Sequence, residues 1–263
     1  MKCLDLTFPT PAENLACDEA LLDWGDESGE QALRFWEPAQ HFVVVGYANK
    51  VAVEVNTPAC AAAGVPIYRR CSGGGTVLQG PGCLNYSLVL QVPEHGWLAS
   101  ISGANQFIMH RHREAVEAVL ACSGGLATAA APTVQGEKLA AVARPPPRVE
   151  VCGHTDLALD GHKFSGNAQR RKRRALLFHG TFLWNLDLPL IGKFLRLPSK
   201  QPAYRQGRPH TDFVMNLAVS PALIKAALRA AWQADEELAS APTESIARLA
   251  TEKYSTATWN WKF

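Results

Sequence analysis

The apolar positions of this chain change period several times along its length, and each change marks an element. Leu4 to Phe8 alternates as a strand does. From Pro11 to Trp24 the apolar residues fall at helical spacing, with Leu15, Ala16, Ala20, Leu21 and Leu22 carrying the bulk. Thr10 stands at the N-cap, Pro11 at the first helical position and Glu13 in the first turn, which together favour a helix start there. Gln31 to Glu37 and His41 to Gly46 read as two strands joined by a Pro-Ala-Gln turn, which predicts a hairpin. Pro58 to Gly64 predicts a short helix stopped by glycine. Val65 to Tyr68 is a short buried strand and Leu84 to Val92 a longer one. Ser102 to Cys122 is a long helix with Ile108, Ala115, Val116, Val119 and Leu120 inward. Residues 123 to 150 are rich in Ala, Pro and Gly and predict a strand or two within irregular connections. Asp156 to Asp160, Lys163 to Gln169 and Ala175 to Asn185 form an expected antiparallel meander whose first turn is Asp160-Gly161. Helices are expected near 188–195, 220–238 and 242–254. No repeat and no clean linker interrupts the pattern. The expectation is a single α+β domain over residues 1–263, built around a mixed or antiparallel sheet.

Composition narrows the class. The 263 residues are 47% hydrophobic and 19% charged, enough apolar material for a sizeable core. A net charge of +2 gives no bulk drive toward nucleic acid or a membrane surface. No apolar run has the length of a transmembrane helix, and Asp5 follows the start with no apolar signal-peptide stretch. The seven cysteines are odd in number and contain no Cys-x-x-Cys pair, so neither a disulfide framework nor a metal site is expected, and a reducing cytoplasm fits best.

Candidate chemistry concentrates in two stretches. In Arg69-Arg70-Cys71-Ser72-Gly73-Gly74-Gly75-Thr76-Val77-Leu78, two arginines run into three glycines at the end of a strand. Three glycines carry a cost in backbone entropy, and a fold keeps them where another group must approach the backbone closely. Both arginines offer planar donors suited to phosphate or carboxylate. In Gly161-His162-Lys163-Phe164-Ser165-Gly166-Asn167-Ala168-Gln169-Arg170, strand alternation puts Lys163 and Ser165 on one face and Phe164 on the other. A lysine beside Ser-Gly is equipped to hold an oxyanion or phosphate. Phe178-His179-Gly180-Thr181 lies on the next strand. No Asp-Ser pattern near His179 makes it part of a triad. The basic run Arg170 to Arg174 reads either as a solvated turn or as a contact strip for phosphates or an acidic partner.

These pieces resemble the lipoate-protein ligase A family, within the wider group of biotin and lipoate ligases and octanoyltransferases. The resemblance runs through Glu13-Asn14-Leu15-Ala16 with Asp18-Glu19, Val45-Gly46 with Asn49, the glycine loop, Gly82-x-Leu84-Asn85-Tyr86-Ser87, the Lys163 strand and His179-Gly180-Thr181, in the family's order. It implies a curved mixed sheet flanked by helices, with the acyl chain in a central tunnel. It further implies ATP-dependent formation of lipoyl-AMP from lipoate and Mg²⁺-ATP, then transfer to a lysine of a lipoyl carrier domain, an E2 subunit or a glycine-cleavage H-type protein. By position, Arg70 and Gly75, Thr76, Val77 and Leu78 would contact ATP or the adenylate. Lys163 would be catalytic, at the carboxyl oxygen and the α-phosphate. Ser72, Gly74, Asn85, Ser165, Gly166, Ala168, His179, Gly180 and Thr181 would line the site.

Two departures bear on the reaction. Many such relatives have His-Asp after the glycine loop, where this chain has Gln79-Gly80. The chain also ends near the expected end of the catalytic domain, so that either a separate accessory chain supplies the extra domain of the long ligases, or the protein manages without it, or it is not a full ligase. The competing reaction is transfer of octanoyl from acyl carrier protein or between lipoyl domains through a cysteine nucleophile. Cys152 stands roughly where such enzymes place theirs, but Val151 to Asp156 lacks the Pro-Ser and aromatic-Glu pattern expected there. The expectation from sequence is therefore the ligase. A non-catalytic binding module is disfavoured by Arg70, Lys163 and Asn85 occurring together, and a biotin ligase by the spelling of the glycine loop.

Overall fold

The computed structural model describes residues 1–122 and 148–263. Eleven strands among these residues build two sheets. They are β1 (Lys2–Asp5), β2 (Ala32–Trp36), β3 (Phe42–Val45), β4 (Ile67–Arg69), β5 (Val77–Gln79), β6 (Cys83–Gln91), β7 (Val149–Cys152), β8 (Asp156–Leu159), β9 (His162–Arg171), β10 (Ala175–Leu183) and β11 (Glu236–Glu237). The helices are α1 (Pro11–Ser28), α2 (Val51–Glu54), α3 (Thr57–Ala62), α4 (Ile101–Cys122), α5 (Pro189–Phe194), α6 (His210–Phe213), α7 (Pro221–Trp232), α8 (Thr243–Leu249) and α9 (Ala257–Asn260). The large sheet has eight strands in the order β11-β1-β2-β6-β10-β9-β8-β7, and the small one has β4-β3-β5. Pairing is mixed: β1 is parallel to β2 and β11, while β6, β10, β9, β8 and β7 run antiparallel in turn. Among the described residues, no helix is long and apolar enough to cross a membrane.

Local chemistry accounts for the element ends. Thr10 accepts from the Glu13 amide and the Glu13 carboxylate accepts from the Thr10 amide, a capping box worth about 1 kcal/mol. Asp160 (φ 49°) and Gly161 (φ 74°) both adopt the left-handed region, as the tight turn between β8 and β9 requires. One core packs α4 and α7 on one face of the large sheet, around Phe35, Leu88, Ile108, Phe178 and Trp232. A second packs α1 and α8 on the other face, around Leu15, Leu21, Val89, Leu177 and Tyr254.

Several expectations are corrected. β2 and β3 do not form a hairpin: β2 joins the large sheet between β1 and β6, and β3 centres the small one. The turn residues Pro38-Ala39-Gln40 signal a bend but carry no information on which strand pairs across it. The helix expected over 220–238 ends at Trp232, with Gln233 in the left-handed region, and Glu236–Glu237 pairs with β1. The N-terminal strand is shifted toward the start of the chain, at Lys2–Asp5. The helix expected over 242–254 changes at Leu249 into a wider turn through Tyr254. Of the stretch 123–150, residues 123–147 lie outside the described residues, and β7 begins at Val149.

Candidate active site

A cavity of about 520 Å³ opens among β6, β9 and β10 of the large sheet, the small sheet and the segment after α5. That volume is in the ordinary range for small-molecule sites. Arg70, Gly74, Gly75, Thr76, Val77, Leu78, Asn85, Lys163, Ser165, Gly166, Ala168, His179, Gly180 and Thr181 all border it, as the sequence predicts. Leu15, Trp36 and Val44 supply apolar wall on one side, and Leu183, Ile191, Leu195, Phe213 and Val214 on another. Ser72 is the exception: it is fully buried and does not reach the cavity wall.

The two adjacent arginines point to different tasks. Arg69 is wholly buried and donates to the carbonyls of Gly46, Tyr47, Asn49, Trp259 and Asn260, so it ties the chain terminus to the loop after β3. It corrects the expectation that both arginines face an anion. Arg70 folds back into its own glycine loop, giving Nη2 to the carbonyls of Gly73 (2.5 Å) and Gly75 (2.7 Å) and Nε to Ser72 (3.0 Å). Gly74 (φ 86°) makes this possible, because a Cβ there would lie 2.9 Å from the guanidinium. Burial pulls the Arg70 guanidinium down to about 10, which leaves it charged at neutral pH. It forms no ion pair among the described residues, so a positive charge without a counterion faces the cavity.

His179 has the partners that local sequence reasoning missed. Its Nδ1 meets Asp18 at 3.0 Å and its Nε2 meets Ser72 at 2.6 Å. Asp18 in turn receives Arg34 at 2.7 Å, and Arg34 is also held by Asn14 and the Leu6 carbonyl. Burial alone would raise the Asp18 carboxyl; the His179 hydrogen bond and the Arg34 charge overcome it and hold the group below its usual range. The Ser72–His179–Asp18 order has the spacing of a nucleophilic triad. With its hydroxyl buried and receiving Arg70 Nε, however, Ser72 braces the glycine loop rather than facing a substrate. The usable signal in the sequence was Asp18 itself, an acid on the buried face of α1.

A second polar group closes on itself. Asn85 donates to Gln79 (2.9 Å), Gln79 donates to Thr181 (2.7 Å) and Thr181 donates to Asn85 (2.5 Å). Gln79, which stands where a histidine was expected, is therefore a bridging amide between β5 and the β6–β10 pair.

Lys163 projects into the cavity from β9 and pairs with Asp156 at 2.8 Å, while Tyr204 donates to the other Asp156 oxygen at 2.8 Å. Phe164 points to the opposite face, into the core. Gly166 leaves the lysine its path, since a Cβ there would sit 2.5 Å from Lys163 Nζ. Cys152 ends β7 opposite Asp156, and the residues that follow it, Gly153 to Asp156, border the cavity. The thiol is half-buried; burial first, and then Glu150 and Asp156, push it up. The other cysteines are buried, with Cys17, Cys71 and Cys83 pushed up to about 12, except for Cys122, which is exposed at the end of α4.

Known proteins resemble this chain in sequence and in overall fold. Octanoyltransferase LipM of Geobacillus kaustophilus is 27% identical over 279 aligned positions, covering 98% of this chain and 97% of the relative. Octanoyltransferase LipM of Symbiobacterium thermophilum is 30% identical over 78% of this chain and 72% of its own length. Among solved structures, the bipartite lipoate protein ligase system of Thermoplasma acidophilum matches with a TM-score of 0.76 at 20% identity, over 99% of this chain and 95% of that one. Lipoate-protein ligase A bound with ATP matches with a TM-score of 0.71 at 24% identity, over 99% and 98% of the two chains. These structures bear out the expected fold, a large mixed sheet flanked by helices. Residues 10–222 match the model of the lipoyl protein ligase A/B catalytic domain, and the chain belongs to that family.

Proposed function

We propose that the chain is an octanoyltransferase, moving an octanoyl group from a carrier-protein thioester to a lysine of a lipoyl domain, with Cys152 carrying the group between them. The observation that carries this reading is the place of Cys152, half-buried beside the cavity and in register with the partner of Lys163. The relatives named octanoyltransferase support the same chemistry. Sequence context around the thiol ranks the ligase first; the relatives and the thiol's position weigh the other way.

The chemistry balances without ATP. The Cys152 thiolate attacks the carrier thioester, a C–S bond forms to Cys152, and the carrier departs as its thiolate. The acceptor lysine amine then attacks the Cys152 thioester; an amide forms, the amine proton passes to solvent base, and the Cys152 thiolate is released. Exchange between thioesters is near balance and aminolysis is downhill. Because the resting thiol is pushed up, the thiolate has to form in the complex. Lys163 supplies positive charge toward the reacting carbonyl oxygen when it leaves Asp156. The apolar cavity wall accepts the acyl chain. The acceptors are lipoyl domains of an E2 subunit or a glycine-cleavage H-type protein, in a reducing cytoplasm that keeps Cys152 free.

Arg70 favours a second reading, the ATP-dependent ligase, because a buried guanidinium without a counterion suits an anionic ligand. Arg70, the Gly75–Leu78 backbone and Lys163 would then hold Mg²⁺-ATP, whose phosphates activate the lipoate carboxyl. Intact mass separates the two. The chain is incubated with a lipoyl domain and either octanoyl carrier protein without ATP, or lipoate with Mg²⁺-ATP. The expected result is ATP-free transfer, an octanoyl adduct on the wild-type chain before the acceptor is added, and neither with Cys152→Ser. Transfer of free lipoate that needs ATP and survives Cys152→Ser establishes the ligase instead.

A further inference from the structure

We propose that the exposed surface around Lys193, Arg196, Leu197 and Lys200 docks the acyl donor, an acidic carrier domain that presents its acyl group as a thioester; this rests on the transferase reading above. From Leu188 to Thr211 the sequence holds five lysines and arginines and no acid. None of the five forms an ion pair among the described residues, whereas Lys2, Lys172, Lys225, Arg229 and Lys253 all do. The more conspicuous basic run, Arg170 to Arg174, is partly neutralised at the end of α1, with Lys172 on Asp23 at 2.6 Å and the Arg174 amide on Asp26. The later segment carries its five cations against one carboxylate, that of Glu54, which accepts from Ser199, with Asp187 and Asp212 at its two ends.

That segment is built to hold its shape. Arg205 is buried over the Phe213 ring and donates to the Arg208 carbonyl; Arg208 donates to the carbonyls of Tyr204 and Gly161. Both satisfy backbone carbonyls, of the segment itself and of the turn between β8 and β9. Lys193, Arg196 and Lys200 are left facing solvent, with Leu197 51% exposed between them. An exposed leucine flanked along the chain by exposed cations suits an acidic surface with an apolar centre.

Continuity with the site favours the donor over the acceptor. Arg196 and Leu197 line a surface depression of about 470 Å³, and Leu195 and His210 border both it and the main cavity. The depression adjoins the apolar end formed by Ile191, Leu195 and Phe213. A donor must pass an octanoyl chain into that end, whereas an acceptor inserts only a lysine. The same segment lies against the turn after Cys152: a Cβ on Gly153 would sit 3.4 Å from Pro202 and 3.8 Å from Tyr204.

The test reverses charge at two residues outside the main cavity, Lys193→Glu with Arg196→Glu, and compares three substrates. With octanoyl carrier protein, KM is expected to rise about tenfold at low salt with kcat unchanged, and the wild-type KM should climb with ionic strength. With the octanoyl thioester of N-acetylcysteamine, which has no protein surface, rates should match wild type. The KM for the lipoyl domain should not move. Leu197→Ser, at an exposed position, is the second variant and should raise the same carrier KM, which keeps the test valid if the double variant misfolds. An unchanged carrier KM in either folded variant overturns the docking surface, and a rise confined to the lipoyl domain reassigns it to the acceptor. A wild-type chain that uses the small thioester but whose variants are insensitive loses only this proposal; one that uses neither donor loses the transferase reading with it.

Discussion

Replacing Asp18 by alanine tests whether the buried charge pair beneath His179 organises the site. Arg34 is 0% exposed and Asp18 3% exposed, and they meet at 2.7 Å. Without the carboxylate, Arg34 retains the Asn14 side chain and the carbonyls of Asn14 and Leu6 as hydrogen-bond partners, and the Phe8 and Trp36 rings, none of which carries a negative charge. Removing one partner of a buried pair costs roughly 3–5 kcal/mol, because the remaining charge is left desolvated. For a chain of this size each 1 kcal/mol moves Tm by about 2–4 °C, so a fall of roughly 6–20 °C is expected. Activity should fall further than stability explains, since His179 loses its Nδ1 partner and the Ser72–Arg70 loop its brace. Urea and thermal melts at pH 7 read the first effect, and acyl transfer below the variant's melting range reads the second. A double variant, Asp18→Leu with Arg34→Met, should be more stable than Asp18→Ala, because it removes both charges together. A loss below about 1 kcal/mol for Asp18→Ala, or costs in the double variant that simply add, would refute the reasoning. The Asp18 carboxyl is lowered in the fold, so its contribution is complete above the unfolded carboxyl range near ~3.9 and is lost as pH falls through the folded value.

Three further outcomes are expected. Burial pulls His112 down to about 3 while its Nε2 accepts from Trp232 at 2.9 Å. Its neutral form therefore stabilises the fold fully above ~6.5 and loses that contribution as pH falls, by about 2–3 kcal/mol between pH 6.5 and 4.5; urea melts should show this pH slope in wild type and not in His112→Gln. Lys163→Ala should lower acyl transfer by about 10²–10³ with Tm within a few degrees of wild type, and a near-normal rate would remove Lys163 from the mechanism. Because Cys152 is pushed up, formation of the octanoyl adduct on the chain should accelerate with pH through pH 8 and beyond pH 9, and a rate that levels off below pH 8 would show the thiol to be activated at rest.

Much of the site was legible because it is written in contiguous residues. The glycine loop, Lys163 and Ser165 on one strand face, and the Asp160-Gly161 turn depend on neighbours along the chain. Backbone conformation and strand alternation suffice to place them. The capping box at Thr10 and Glu13 is equally local. The roles of Arg69 and Arg70 were not legible in this way, since adjacent identical side chains diverge according to what packs beside each.

What the sequence by itself determined is most of the longer elements, the Thr10 cap and the Asp160-Gly161 turn, and the two stretches that border the cavity. Tertiary structure decided which of those elements meet. Asp18 and His179 are 161 residues apart, and only the packing of α1 on the large sheet brings them to 3.0 Å. β2 and β3 are separated by a short turn, yet they join different sheets, β2 between β1 and β6 and β3 between β4 and β5. The long-range pairs and the buried charge between Asp18 and Arg34 arise from burial against remote partners. No local pattern encodes that burial, because the free energy that selects it belongs to the whole core.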